Sequence, residues 1–288
     1  MNLQALFDGL FTGSIYALVA LCLTITYQPT RIMNFAQGES FILGAAVGFE
    51  VLGVKKMAWP IGLVILVLVA VIMGLIVERM IILPVQLSGS RFAWIIATLA
   101  AAMIFQAIFS LRYVGDTLSF PPLISKQFAV GGATISAQQI IAIVVSLLII
   151  GIYAQFLRRS IYGRAMRATA HNADTAIILG IPTKRIVRGA FVASTVIGAL
   201  AGFLWSPENG VNPATGLVFT ISGFTAAVIG GVGSPMGALF GGLMVGLLNS
   251  FAGHIFGGLA SGIAVFIALG LILVLKPAGL FGKAMEGH

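Results

Sequence analysis

The feature that most limits what this chain can fold into is an apolar run close to bilayer-spanning length, which recurs nine times. Crossing a hydrocarbon core about 30 Å thick takes about 20 apolar residues in a helix. The runs lie near Phe7–Tyr27, Gly38–Val54, Trp59–Leu83, Phe92–Leu111, Gln138–Leu157, Gly189–Trp205, Gly216–Val232, Met236–Phe251 and Leu259–Leu275. Only 8% of residues are charged, where a soluble domain carries roughly a quarter. Such a chain cannot cover a water-facing surface of its own size. The expected fold is all-α and polytopic, with eight or nine transmembrane helices. The second, seventh and eighth runs are short and Gly-rich, so each is a candidate for a broken or re-entrant segment. No polar stretch is long enough to fold by itself, and residues 1–288 read as a single membrane domain.

Basic residues then orient it. Of 16 Lys and Arg, seven crowd into Arg158–Arg188, which marks that gap as cytoplasmic. Counting through nine spans places the N-terminus outside and the C-terminus inside. Arg31, Arg79, Arg91, Lys276 and Lys283 then join the inner set, leaving Lys55, Lys56, Arg112 and Lys126 outside. Topology therefore explains the net charge of +8 better than nucleic-acid binding does. The gap Arg112–Ala137 carries Pro121, Pro122, Gly131 and Gly132, breakers that argue against another span. The lone Cys22 excludes an internal disulfide and a thiol metal cluster. The residues before Phe7 lack the basic region of a secretory signal, so the first run is expected to be retained.

Within the basic gap, Asn172 has the chemistry of an N-cap, Asp174 suits the positive end of a helix, and Gly180 fits the left-handed position after one. Pro182 prevents continuation. The enclosed helix spans only about 10 Å, too short to be stable without docking against something. Ala173, Ala176, Ile177 and Gly180 give it a small apolar face. Two readings stand: a loop helix resting on anionic lipid or on the protein's own helix ends, or a knob for a groove on a cytoplasmic partner.

Two further segments bear on a pathway. Asn34, Gln37 and Glu39 cluster where the first two spans join, and an acid near hydrocarbon needs water, a partner or a backbone amide. These groups read either as a gate or as caps on an interfacial helix start. Farther on, the pairs Gly198/Gly202, Gly237/Gly241 and Gly242/Gly246 are spaced for close helix packing in lipid. The break from Gly230 to Pro235 points to a cavity, since irregular backbone at membrane depth needs protein or water around it. No phosphate-binding Gly-x4-Gly-Lys-Ser/Thr loop occurs, and His171, His254 and His288 are too scattered to argue for a metal site. No cofactor is expected in this chain, and no catalytic residues. Any energy for uphill transport must enter from outside it, which leaves an autonomous channel or facilitator, for urea or another small neutral solute, as the competing reading.

Tyr16-Ala-Leu followed by Asn34-Phe-Ala-Gln-Gly-Glu39 resembles the first signature of bacterial branched-chain amino acid ABC importer permeases of the LivH-like type. Three later segments resemble the same family: Arg167 to Ile181, Phe224 to Ala238, and the closing Lys276-Pro-Ala-Gly-Leu-Phe-Gly282. Gln37 departs from the family's usual His, and Cys22 and Gln28 from its common Gly. The resemblance implies a multi-pass subunit of the bacterial inner membrane, non-enzymatic itself. Its implied partners are a second, LivM-like permease, two cytoplasmic ATPase subunits and a periplasmic substrate-binding protein. It also implies roles. Arg164, Arg167, Ala170, Asn172, Asp174, Ala176, Gly180, Ile181 and Pro182 would couple to the ATPase. Tyr16, Asn34, Phe35, Gln37, Glu39, Thr225, Gly230, Gly231 and Gly233 would line the pathway or gate it.

Overall fold

The computed structural model describes residues 3–87, 92–276 and 279–281. Lipid offers no hydrogen bonds to the backbone, so a spanning chain must satisfy its amides internally, and helices do so residue by residue. The apolar runs accordingly become α1 (Leu3–Thr30), α2 (Gln37–Gly48), α3 (Trp59–Val77), α5 (Ala93–Arg112), α6 (Ala137–Arg159), α9 (Thr183–Asn209), α10 (Gly216–Gly230), α11 (Pro235–Phe256) and α12 (Gly258–Leu275). Shorter helices are α4 (Leu83–Leu87), α7 (Ile161–His171) and α8 (Ala173–Ile178). Two π-helical turns extend α2 through Phe49–Val54 and α3 through Glu78–Ile82. Among the described residues, seven helical stretches are long and apolar enough to cross a membrane; α2 and α12 complete the nine expected runs at shorter length. The eighth run departs from expectation, because α11 continues unbroken for 22 residues, with Ser234 capping its start. Arg91 and Lys283, two of the inner cations, lie outside the described residues.

The expected non-spanning gap before α6 holds a two-stranded hairpin, β1 (Gln127–Val130) with β2 (Ala133–Ser136). Gly131 and Gly132 take positive φ at its turn, as a two-residue loop between right-twisted strands requires.

The chain folds into two compact units. One comprises Met1–Thr24, Pro122–Ile152 and Ile221–His288; the other comprises Ile25–Pro121 and Tyr153–Thr220. In the first, α11 lies against α1 and α10 through small residues. A Cβ on Gly242 or Gly246 would strike the backbone of Ala17 or Gly13, and one on Gly241 the carbonyl of Ala226. The spacing of these glycines is thus used for close approach, as in other lipid-embedded bundles. In the second unit, α2 and α3 both pack on α9, with Gly44 on the Ala199 carbonyl and Gly202 on that of Phe41. Trp59, Phe120 and Phe203 fill the space beyond, with ring centroids 5.0–5.9 Å apart.

Ion pairs join helix ends that a nine-span alternation puts on one side. The end of α2 meets the end of α5 through Glu50 and Arg112 (2.7 Å), and the end of α3 meets the start of α9 through Glu78 and Arg188 (3.3 Å).

Candidate functional site

In the second unit, α2 starts in an unusual place. Gln37 Nε2 donates to the Ser194 carbonyl (3.2 Å), and Ser194 Oγ donates back to Gln37 Oε1 (2.8 Å). Ser194 is the twelfth residue of α9, about 16 Å along that helix. So α2 begins against the middle of α9 rather than at its end. Asn34, Phe35 and Ala36 lead the chain to that point before the helix opens.

A helix start buried there must still place its free amides. Ala36, at the N-cap, has no side chain able to accept. The chain solves this locally and with a neighbour. Gln37 N donates to the Asn34 carbonyl, Glu39 N to the Ala36 carbonyl (both 3.2 Å), and Gly38 N to Thr220 Oγ1 (2.7 Å). Thr220 belongs to α10 and donates in turn to the carbonyl of Phe35 (3.2 Å) or Gly216 (3.2 Å). Asn34 Oδ1 accepts from Ala36 N (3.1 Å), and the Phe35 ring stacks on Trp94 at 6.1 Å.

Glu39 is the exception in this layer. It is 1% exposed, and neither carboxyl oxygen has a hydrogen-bond partner among the described residues. Its carboxyl lies against Gly216, where any side chain would collide with it. The opening turns of α2 and α10 therefore both face one acid, and the positive ends of helices favour negative charge. Asn34, Gln37 and Glu39 thus form one buried layer beside the half-buried Phe35, to which the structure adds Ser194, Thr220 and Gly216. Sequence reading missed these three because a Ser, Thr or Gly in an apolar run looks the same whether it packs or bonds.

Tyr16, Thr225, Gly230, Gly231 and Gly233 belong to the other unit. Tyr16 hydrogen-bonds the Ser222 side chain, and Thr225 Oγ1 is buried without a partner among the described residues. Gly231 and Gly233 take φ of 101° and 91° in the break before α11. The expectation of a cavity at that break is not met at its carbonyls. Leu280 N and Phe281 N donate to the carbonyls of Ile229 and Gly230 (2.8 and 2.9 Å), and Phe281 stacks on Phe240. The chain's own closing segment occupies the place.

The basic gap folds as the residues dictate, with one addition. Ser160 caps an amphipathic α7 by accepting from Gly163 N, a helix that sequence reading passed over although the cap was there to see. Asn172 then caps α8, its Oδ1 accepting from Thr175 N (2.9 Å). Gly180, at φ 77°, donates to the Ile177 carbonyl, and Ile181 N donates to that of Ala176. This bond pair is the Schellman closure. Pro182 opens α9.

The expected face of α8 is exposed at Ile177 and Gly180 and differs from expectation at Ala176. Ala176 is buried, while Ile177, Ile178 and Leu179 are exposed at 57, 84 and 73%. The side chain of Asp174 lies outside the described residues. Arg164 is exposed, Arg167 reaches the Leu157 carbonyl, and the Ala170 carbonyl accepts from Arg31 (2.9 Å). The last bond ties the end of α1 to the loop. The result is a doubly capped helix offering three large aliphatic side chains.

Comparisons with known proteins show the family. Residues 5–276 match the family described as branched-chain amino acid transport system, permease component. The chain is 32% identical to the high-affinity branched-chain amino acid transport system permease protein LivH of Escherichia coli K12, over 98% of this chain and 96% of that one. The permease protein BraD of Pseudomonas aeruginosa gives the same identity and coverage. In fold the chain is similar to a chain of PsaBC from Streptococcus pneumoniae, solved in complex with Fab, with a TM-score of 0.52, 15% identity and coverage of 94 and 91%. Family match and full-length identity together place it: the chain belongs to the permease component family of branched-chain amino acid transport systems and is the permease of an ATP-binding cassette importer.

Proposed function

We propose that this permease imports branched-chain amino acids or related small solutes across the bacterial inner membrane, with its N-terminus periplasmic and its C-terminus cytoplasmic. It works as a single membrane domain paired with a second, LivM-like permease. A periplasmic binding protein delivers the solute, and two cytoplasmic ATPase subunits drive the cycle. Helix α8 is the contact through which they do so.

The observation that carries this reading is the exposure of Ile177, Ile178 and Leu179 on a helix fixed at both ends. Water opposes three adjacent bare aliphatic side chains, and burial of each in a groove would return roughly 1.5–3 kcal/mol if complete. The caps keep the knob rigid, so motion of an ATPase passes to α7 and α9 instead of being absorbed in a loose loop. Two conformations of the permease must bind ATP-loaded and empty subunits unequally, or no ligand could shift them. In the pathway, Glu39 and the Gln37–Ser194 pair form the gate layer. Gln37 donates and accepts at once and stays neutral throughout.

The test is Ile178→Glu in the assembled transporter. Insertion and thermal stability should stay at wild-type values, because the side chain touches little within this chain. ATP-driven uptake should fall at least tenfold, with ATP hydrolysis no longer stimulated by loaded binding protein. Uptake that survives a charge at this position would exclude α8 as the contact.

A further inference from the structure

We propose that the cytoplasmic end of α3 holds a site for one anionic glycerophospholipid. A groove of about 560 Å³ opens there, its lining including the apolar Ile72, Ile76 and Met80 and the charged Glu78, Arg79 and Arg188. The three aliphatic residues are exposed at 57, 40 and 71%, on the same face as Arg79. Ile72 and Ile76 lie four residues apart and Arg79 three further, so the apolar stripe runs for about 10 Å and ends on a cation. An amphiphile with a tail and one negative head matches that order.

Charge settles which amphiphile. Arg188 Nε meets the nearly buried Glu78 at 3.3 Å, which neutralises that carboxylate. Among the described residues the terminal nitrogens of Arg188 are left as donors in a half-exposed side chain. Arg79, next in sequence to Glu78, makes no ion pair among the described residues and is exposed. Two guanidinium groups against one carboxylate leave one net positive charge, which a single phosphodiester cancels. Guanidinium also recognises phosphate oxygens in a bidentate way that a point cation cannot. Glu78 and Arg79 sit in the π-helical turn Glu78–Ile82, and such turns often mark functional sites. Basic pockets at the cytoplasmic ends of membrane helices are the kind of surface that holds acidic headgroups. Since Arg188 follows Pro182 by six residues, a lipid here would brace the start of α9 just after the coupling segment.

The test uses the full-length chain, purified in mild detergent, delipidated, and titrated with phosphatidylglycerol or phosphatidylcholine while native mass spectrometry counts bound lipid. One phosphatidylglycerol should be retained per chain at least fivefold more tightly than phosphatidylcholine. Arg79→Gln should weaken it about fivefold, the equivalent of roughly 1 kcal/mol per cation near an anionic surface. Arg158→Gln, a cation outside the groove, should change nothing. Photoactivatable phosphatidylglycerol should crosslink to the peptide bearing Ile72 to Arg79, a readout independent of how the variants fold. Equal binding of the two lipids, equal loss in both variants, crosslinks spread over other helices, or exclusion of the lipid by a protein partner in the assembled transporter would each overturn the site.

Discussion

Two helix starts in this protein, those of α2 and α8, solve the same problem in opposite ways. Helix α8 begins near water and caps itself: Asn172 accepts from an amide three residues on, and nothing outside the segment is needed. Helix α2 begins in protein, at an Ala that cannot cap, and borrows the Thr220 hydroxyl from another helix. The first arrangement makes a portable, rigid surface feature. The second makes a joint, because any movement of α10 relative to α2 breaks the bond at Gly38. A transporter needs both: a handle that keeps its shape and a layer inside that does not have to.

The hardest way to break the contrast is to separate the joint. Gly38→Ala would drive a methyl into the Gly216 carbonyl and Thr220 Oγ1. Backbone cannot move aside as a flexible side chain can, so the cost should reach or exceed about 3 kcal/mol, the upper end for overpacking. Thermal unfolding in detergent reads it. A variant as stable as wild type would mean that α2 and α10 are not held at this distance.

A smaller effect should follow at the neighbouring bond. Ser194→Ala leaves Gln37 Oε1 buried without its donor, which should cost about 2 kcal/mol, within the range for an unsatisfied buried group. Adding Gln37→Met should recover part of the loss, since removing both partners is far cheaper than stranding one. If the double variant is the less stable, the pair is not what holds this layer.

The same contrast explains what could be read in advance. The α8 segment was legible almost to the atom, because cap, stop and left-handed glycine are adjacent in sequence and act on one another. The nine apolar runs were legible for a similar reason, being local in composition. Ser194, Thr220 and Gly216 were not legible, because their roles come from residues 157 to 185 positions away. The exposed face of α8 was read correctly at Ile177 and Gly180 but not at Ala176: a small residue at helical spacing looks like part of a docking surface, and here it is buried. The break at Gly230–Pro235 looked hollow because the segment that closes it lies about 50 residues downstream.

At the handle the expected effect is smaller again. Asn172→Ala removes the side-chain cap and should destabilise α8 by about 1 kcal/mol, whereas Asn172→Ser, which can still accept, should stay within a few tenths. Amide exchange at Thr175 and Ala176 would register the difference, while global unfolding should scarcely move. A global loss would show that α8 is built into the core instead of projecting from it.

The smallest effect concerns the far end of α2, a third kind of helix end, half buried and half wet. Glu50 there accepts from Arg112 and from the Tyr113 hydroxyl (3.3 Å). Burial, with the Glu50 charge adding to it and Arg112 partly opposing, pushes the Tyr113 phenol from 10.0 up to about 12. Raised in the folded state, the phenol keeps its proton where the unfolded chain has already lost it. Its contribution is therefore complete below pH 10 and lost as pH climbs toward 12. Tyr113→Phe should flatten the fall in stability across that window and leave neutral-pH stability nearly unchanged, apart from one weak hydrogen bond. An unaltered alkaline slope in the Phe variant would assign the fall to other groups and leave Arg112 as the partner that matters to Glu50.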